Sequence, residues 1–222
     1  MKASDLMKAV RRHILPLLPG FKYKPTTILY ATPVELILRA FYFQTSYLDR
    51  YAFTVWAFVQ PLYVPRDHLV LNMGGRLGWL HKGKDIWWRW RPEDVELEKQ
   101  VMHEIYWYIQ KYGLPFLERV RTPSGVIWWI DKKSGNPKDV HYQEAKAYSY
   151  ILTGDCDRAQ RILPRLYTEL RQDEPSYPWM GQVAERVKQM ISLLAQSPEA
   201  AVQQLYEWRN WTLTQLGLKK EI

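Results

Sequence analysis

The richest run of chemically active side chains lies between residues 79 and 91, where indole rings alternate with cations. Aromatic planes stack on unpaired nucleobases at roughly 1–3 kcal/mol per base, while lysine and arginine neutralise phosphates. Tryptophan and arginine are also enriched at the energetic centres of protein–protein interfaces. The composition therefore suits an acidic partner, either a protein or a single-stranded nucleic acid. The run contains Trp79, His81, Lys82, Lys84, Trp87, Trp88, Arg89, Trp90 and Arg91.

An alternative interpretation places part of this run in the core. Successive side chains of a strand point to opposite faces. If residues 86–91 are extended, Trp88 and Trp90 share one face with Ile86, and Trp87 shares the other with two arginines. Two tryptophans are then ordinary core residues, and the sequence leaves both interpretations open. The candidate contacts with a protein or nucleic-acid partner are Arg76, Lys82, Lys84, Trp87, Arg89 and Arg91.

Arg76 belongs to a glycine cluster, Gly74-Gly75-Arg76-Leu77-Gly78, that invites comparison with an anion-binding nest. A phosphate-binding loop leads directly into a helix. Here we predict that the cluster leads into the aromatic and basic run without a helix. We therefore interpret the glycines as turn residues that end a strand.

The ligand patterns of metal sites are incomplete. His103 and Glu104 begin a zinc-protease pattern, but Trp107 stands where its second histidine is required. His141 and Glu144 share a predicted helix face, and no residue is indicated as a third ligand. We predict no metal ligand and no cofactor.

No nucleophile can be assigned either. The only cysteine, Cys156, lies between Asp155 and Asp157, whose charges raise a thiol pKa and suppress the reactive thiolate. No recognisable catalytic motif is present, so no catalytic residue is predicted and enzyme activity is left uncertain, with a non-enzymatic protein favoured. An unrecognised site would first be sought among Arg76, His81, His103 and Glu104.

Charge is distributed unevenly along the 222 residues. The net charge is +8, of which residues 1–91 carry +9 and residues 92–222 carry −1. Such a field attracts an acidic partner, whether a protein face, a nucleic acid or an anionic lipid surface.

Composition indicates an ordinary globular chain, with 47% hydrophobic and 24% charged residues. No apolar run approaches the roughly 20 residues of a membrane-spanning helix, so we expect no membrane insertion. A single cysteine and the lack of an export signal predict a cytoplasmic protein. The oligomeric state is not indicated.

Periodicity predicts the elements that position these residues. Helical spacing predicts a first helix over 4–17 and a second helix that begins at Asp94 and stops at Gly113 and Pro115. We predict a short strand or a buried turn from Val126 to Ile130, before the polar stretch 131–139. One helical hairpin around Ala145 to Ala159 has tetratricopeptide-like spacing, without a second copy. Four strands are predicted at 27–31, 35–45, 51–60 and 68–73, and four later helices at 141–152, 155–171, 178–195 and 198–216.

These elements predict an α+β fold, with an N-terminal helix, an antiparallel β-meander backed by helices, and an all-helical C-terminal half. We place an α+β meander domain at 1–130 and a helical subdomain packed on it at 131–222.

Several segments in this order resemble bacterial domain families of unknown function, some of whose relatives are immunity proteins of polymorphic toxin systems. The resemblance covers about residues 4–120 and implies an α+β domain that binds another protein. The basic N-terminal half departs from the acidic inhibitors expected against basic nuclease toxins. The segments are the opening helix, Gly20-Phe21, the strand from Leu38 to Ser46, the break from Gln60 to Pro65, and the helix end from Gly113 to Glu118.

Our leading hypothesis is a non-enzymatic cytoplasmic binding protein, immunity-like or a regulatory inhibitor, that uses a basic aromatic surface to engage an acidic protein partner. The alternative is a protein that binds single-stranded RNA or DNA with the same residues.

Overall fold

The computed structural model describes residues 2–25, 27–132 and 139–219. By contacts between its residues the chain divides into two compact units. Of the described residues, the first unit comprises those up to 60 together with 70–121, and the second comprises 61–69 together with those from 122 to 219. The first is α+β and the second is helical, which confirms the predicted fold class.

The first unit begins with helix α1 (Ala3–His13) and a short 3-10 turn (Leu15–Leu17). Helix α1 contacts both strand β3 and helix α3. The strands are β1 (Phe21–Lys24), β2 (Ile28–Ala31), β3 (Ile37–Thr45), β4 (Ala52–Pro61), β5 (Met73–Arg76) and β6 (Trp88–Arg89), and the later helices are α2 (Leu77–Lys82), α3 (Val95–Tyr108) and α4 (Leu114–Arg119).

The six strands form one antiparallel sheet in the order β1-β2-β3-β4-β5, and β6 pairs with the first residues of β4. The first three predicted strands are confirmed. The fourth was predicted at 68–73 and instead begins at Met73, so Gly74, Gly75 and Arg76 belong to the strand, and Leu77 and Gly78 belong to the helix after it. A Cβ on Gly74 would lie 2.2 Å from the Ala57 carbonyl oxygen, so glycine permits the close pairing of β4 and β5.

The glycine cluster leads directly into a helix, contrary to our prediction, because α2 begins at Leu77, immediately after β5. Gly78 in this helix allows the following segment, Lys84 to Ile86, to pack closely against α2. A Cβ there would lie 2.4 Å from Ile86 Cγ1 and 2.7 Å from the Lys84 carbonyl oxygen. The glycine is thus required by packing and not by a turn.

Helix α3 begins as predicted, with the Asp94 carboxylate accepting a hydrogen bond from the Leu97 amide at 3.0 Å. The predicted stop at Gly113 and Pro115 is wrong. The chain passes through a π-helical segment (Ile109–Gly113) into α4, and Pro115 lies in the first turn of α4, where an amide donor is not needed.

The second unit contains helices α5 (Pro123–Lys132), α6 (Val140–Leu152), α7 (Cys156–Asp173), α8 (Trp179–Gln196) and α9 (Pro198–Gln215). The last four confirm the predicted helices. The strand or turn predicted at Val126 to Ile130 is wrong, because α5 buries Val126, Trp129 and Ile130 at helical spacing. Of the polar stretch predicted at 131–139, residues 133–138 lie outside the described residues.

Helix α6 contacts α7 and also α9, so α6 to α9 pack as a bundle and not as an open repeat array. The α6–α7 pair is the helical hairpin that the tetratricopeptide-like spacing indicated, with Ala145, Tyr148 and Ala159 fully buried between its helices and neighbours.

Candidate functional site

Strand β6 fixes the direction of the aromatic and basic residues. Its register places Phe53 opposite Trp88 and Ala52 opposite Arg89, and the Trp90 amide donates to the Tyr51 carbonyl at 3.2 Å. Trp88 and Trp90 are buried, whereas Arg89 and Arg91 are exposed. The interpretation that places two indoles in the core is therefore confirmed, and neither ring is available to a partner.

The β3–β4 loop beside these arginines presents two apolar side chains to solvent. Tyr47 is 99% exposed and Leu48 is 92% exposed. The loop is held by its own hydrogen bonds, because Ser46 Oγ accepts from the Leu48 and Asp49 amides, both at 3.1 Å, and Asp49 Oδ1 accepts from the Tyr51 amide at 2.9 Å. An ordered turn thus carries Tyr47 and Leu48 outward.

Three arginines gather at the base of this loop. Arg89 Nε lies 3.0 Å from Asp49 Oδ2, and the Arg50 and Arg91 guanidinium carbons lie 4.6 and 5.2 Å from the centre of the Tyr51 ring. The place holds three cations and one carboxylate, so it carries excess positive charge. We name it the tip surface, formed by Tyr47, Leu48, Asp49, Arg50, Tyr51, Arg89 and Arg91.

Arg76 takes part in a different arrangement. It lies opposite Trp56 in the β4–β5 register, and its guanidinium carbon is 5.2 Å from the Trp56 ring centre and 4.7 Å from that of Trp87. Its Nη1 pairs with Asp85 Oδ2, which also accepts a hydrogen bond from Trp87 Nε1 at 3.0 Å. Arg76 and Trp87 are thus bound within the chain itself.

Asp85 is charged in this setting. Partial burial alone would raise its pKa, but hydrogen bonds from Arg76 and Trp87 and the Arg76 charge outweigh that effect and lower the pKa. A shallow cleft of about 320 Å³ opens beside the pair, and its lining residues are Trp56, Gly75, Arg76, Trp79 and Asp85. We name it the indole cleft.

Lys82 ends helix α2 and Lys84 follows it, and both are exposed. Among the described residues neither lysine forms an ion pair with a carboxylate. The six predicted contact residues thus separate into three places: Arg89 and Arg91 on the tip surface, Arg76 and Trp87 beside the indole cleft, and the two lysines at the end of α2.

An aromatic cluster that the sequence did not reveal lies where α2 meets the end of α3. The His81 ring centre is 4.3 Å from Tyr112 and 5.8 Å from Tyr108, and Lys111 Nζ lies 4.7 Å above Trp107. Burial, with Lys82 and Lys111 nearby, lowers the His81 pKa. Tyr112 lies in the π-helical segment, and its ring centre is 5.7 Å from that of Tyr108 in α3.

The residues proposed for an unrecognised catalytic site do not converge. Arg76 is engaged by Asp85, and His81 packs within the aromatic cluster. His103 and Glu104 are exposed on α3.

The second unit holds a buried ion network around Glu144, which is fully buried. Arg186 binds this carboxylate through two nitrogens, with Nη2 at 2.8 Å from Oε2. Arg66 Nη2 lies 3.5 Å from the same Oε2 and 2.7 Å from His141 Nδ1. Both Glu144 oxygens and His141 Nδ1 therefore face arginines.

His141 accepts this hydrogen bond, so its ring is neutral. Burial and the neighbouring Arg66 charge lower its pKa, and the charges of Glu144 and Asp139 oppose them. In the same unit, partial burial and the charges of Asp157 and Asp155 raise the pKa of Cys156, in the direction predicted.

Comparison of the chain with protein families, with curated proteins and with solved structures finds no match. In the part of the chain that the structure describes, no helix is both long and apolar enough to cross a membrane.

Proposed function

We propose that this chain is a non-enzymatic cytoplasmic binding protein, immunity-like or regulatory, that engages an acidic protein through the tip surface. The observation that carries the proposal is the nearly complete exposure of Tyr47 and Leu48 beside Arg50, Arg89 and Arg91.

The chemistry of the tip surface favours a protein partner. Burying a tyrosine and a leucine in an interface gains roughly 25 cal/mol per Å² of apolar area. Tyrosine and arginine are typical of the few residues that dominate binding energy. Three arginines and one carboxylate give the tip surface a net positive charge. This charge repels a basic partner, attracts an acidic one and speeds association.

The direct test is a photo-crosslinking residue placed at Tyr47 and expressed in the native host. A matched control carries it at Tyr177, a 54% exposed tyrosine of the second unit. We expect an acidic protein to be captured from Tyr47 and not from Tyr177.

The captured protein is then purified and its affinity is measured. Replacing Tyr47 and Leu48 together by alanine is expected to weaken binding about 30-fold or more, since hot-spot truncations cost about 2 kcal/mol or more. Tyr177→Ala should bind like the wild type. Equal capture at both positions, or unchanged affinity after Arg89→Glu, contradicts the proposal.

Single-stranded nucleic acid is the second candidate partner, and the end of α2 supports it. Trp79 is 47% exposed there, close in sequence to Lys82 and Lys84. If the two lysines contact two phosphates, the logarithm of the binding constant should fall with the logarithm of salt at a slope of roughly −1.4. Lys82→Ala should halve that slope. No binding of mixed-sequence oligonucleotides at low salt would exclude this candidate.

A further inference from the structure

We propose that the indole cleft is a binding site for a neutral, planar heteroaromatic ring of the nucleobase class. The cleft is independent of the tip surface. It shares Trp79 with the proposed nucleic-acid interface at the end of α2. The proposal rests on that second candidate function only if the bound ring is a base of a nucleic-acid strand.

The walls of the cleft favour a flat, apolar ligand. The indoles of Trp56 and Trp79 line it, and its volume of about 320 Å³ is at the lower end of small-molecule sites. Trp79 packs over Gly75, where a Cβ would lie 3.3 Å from Trp79 Cε3. A larger residue there would press on the indole, so glycine leaves room for the present position of the ring.

The charges of the cleft favour a neutral ligand. Aromatic rings with a carboxylate usually attract a cation, but Arg76 already occupies that position between Trp56 and Trp87 and pairs with Asp85. A second cation would be repelled by Arg76 and an anion by Asp85. The lining is balanced in charge, and an uncharged ring meets neither penalty.

Asp85 also supplies a hydrogen-bond acceptor. Arg76 and Trp87 both donate to Oδ2, and none of the described residues donates to Oδ1. The Asp85 side chain is 48% exposed, so a ligand can reach it. A ring carrying an N–H or an exocyclic amino group, as nucleobases do, can stack on Trp79 and donate to this oxygen.

The test uses the whole chain labelled with 5-fluorotryptophan, whose fluorine resonances are assigned by single Trp→Phe variants. The probe is adenosine at millimolar concentration. We expect the resonances of Trp79 and Trp56 to shift, and those of Trp107 and Trp179 to stay unchanged. Trp79→Ala should weaken adenosine binding, read from the Trp56 resonance, by roughly 5- to 150-fold, the equivalent of one base stack. Trp107→Ala, at a ring that is 41% exposed, is the matched control and should bind normally.

Two further arms identify the source of the ring, using a single-stranded oligonucleotide and an abasic strand of the same charge. Shifts of Trp79 and Trp56 with adenosine and not with the oligonucleotide support the cleft with a free ring, and not a base of a strand, as its ligand. Shifts with the base-bearing strand and not with the abasic one support the cleft with the strand as source. Equal binding of both strands without these shifts overturns the cleft and leaves the nucleic-acid candidate standing. The absence of shifts in every arm overturns the cleft as well.

Discussion

Arg186 in the second unit and Arg89 in the first each pair with one carboxylate, but the Arg186 side chain is 16% exposed and that of Arg89 is 76% exposed. Around Arg186 the partner Glu144 is fully buried and its oxygens are shared with Arg66. Around Arg89 the partner Asp49 belongs to a surface loop. The same kind of ion pair is therefore buried in one unit, where losing one partner leaves a buried charge uncompensated, and exposed to solvent in the other.

The largest effect expected from this difference is that of Glu144→Gln. Removing one partner of a buried ion pair leaves the others uncompensated and costs about 3–5 kcal/mol. We expect the free energy of unfolding, measured in urea, to fall by that amount. Asp49→Asn is the matched control and should change it by no more than about 1 kcal/mol. Equal effects of the two variants would show that burial does not distinguish the pairs.

A second difference concerns a helix glycine of each unit. Replacing a helix glycine by alanine ordinarily gains about 0.5–1 kcal/mol. At Gly78 the added Cβ would meet Ile86 and the Lys84 backbone, so Gly78→Ala should instead destabilise the chain by about 1–3 kcal/mol.

The control is Gly181→Ala in α8, where the three nearest atoms to the added Cβ all belong to the Glu174 side chain. A flexible carboxylate can move aside, so this variant should cost less than Gly78→Ala in the same urea titration. If Gly78→Ala is stabilising, Ile86 is not held against α2 as the structure has it, and the position of Asp85 at the indole cleft is then in question.

Sequence reasoning predicted the elements whose signals are local. Asp94 and the apolar spacing of α3 sufficed to place the start of that helix, and alternation from Ile86 to Arg91 correctly separated the buried indoles from the exposed arginines. The predicted stop at Gly113 failed because a glycine and a proline can also be accommodated inside helical structure. There Gly113 approaches Phe41, and the clearance of 2.6 Å for an added Cβ is a tertiary constraint.

The candidate site was less predictable, since it depends on which strands become neighbours. Arg89 and Arg91 are about 40 residues from Tyr47 in the sequence, and only the pairing of β6 with β4 brings them to the tip surface. Arg76 meets Trp56 for the same reason, through the β4–β5 register. The prediction grouped Arg76, Arg89 and Arg91 as one set of contacts and gave no information on the separate surfaces to which the fold assigns them.

The pH dependence of the buried network is expected to be smaller than the effect of removing its carboxylate. Because the folded pKa of His141 is lowered, its contribution to stability is complete above the unfolded value of about 6.5. It is lost as the pH falls from there through the lower folded pKa. Urea titrations between pH 8 and pH 5 should therefore show a stability loss that is reduced in His141→Gln. An identical pH profile for the variant would contradict the burial of a neutral ring beside Arg66.

The smallest effect on folding is expected at the tip surface, where Arg89→Ala should lower the free energy of unfolding by no more than about 1 kcal/mol because both partners of the pair reach solvent. The same variant should slow association with the acidic partner and reduce its salt dependence, since a rim charge acts mainly on the association rate. Stopped-flow association at two salt concentrations and a urea titration separate the two quantities. A large loss of stability with unchanged association would reverse the comparison, because Arg89 would then serve the fold as Arg186 does.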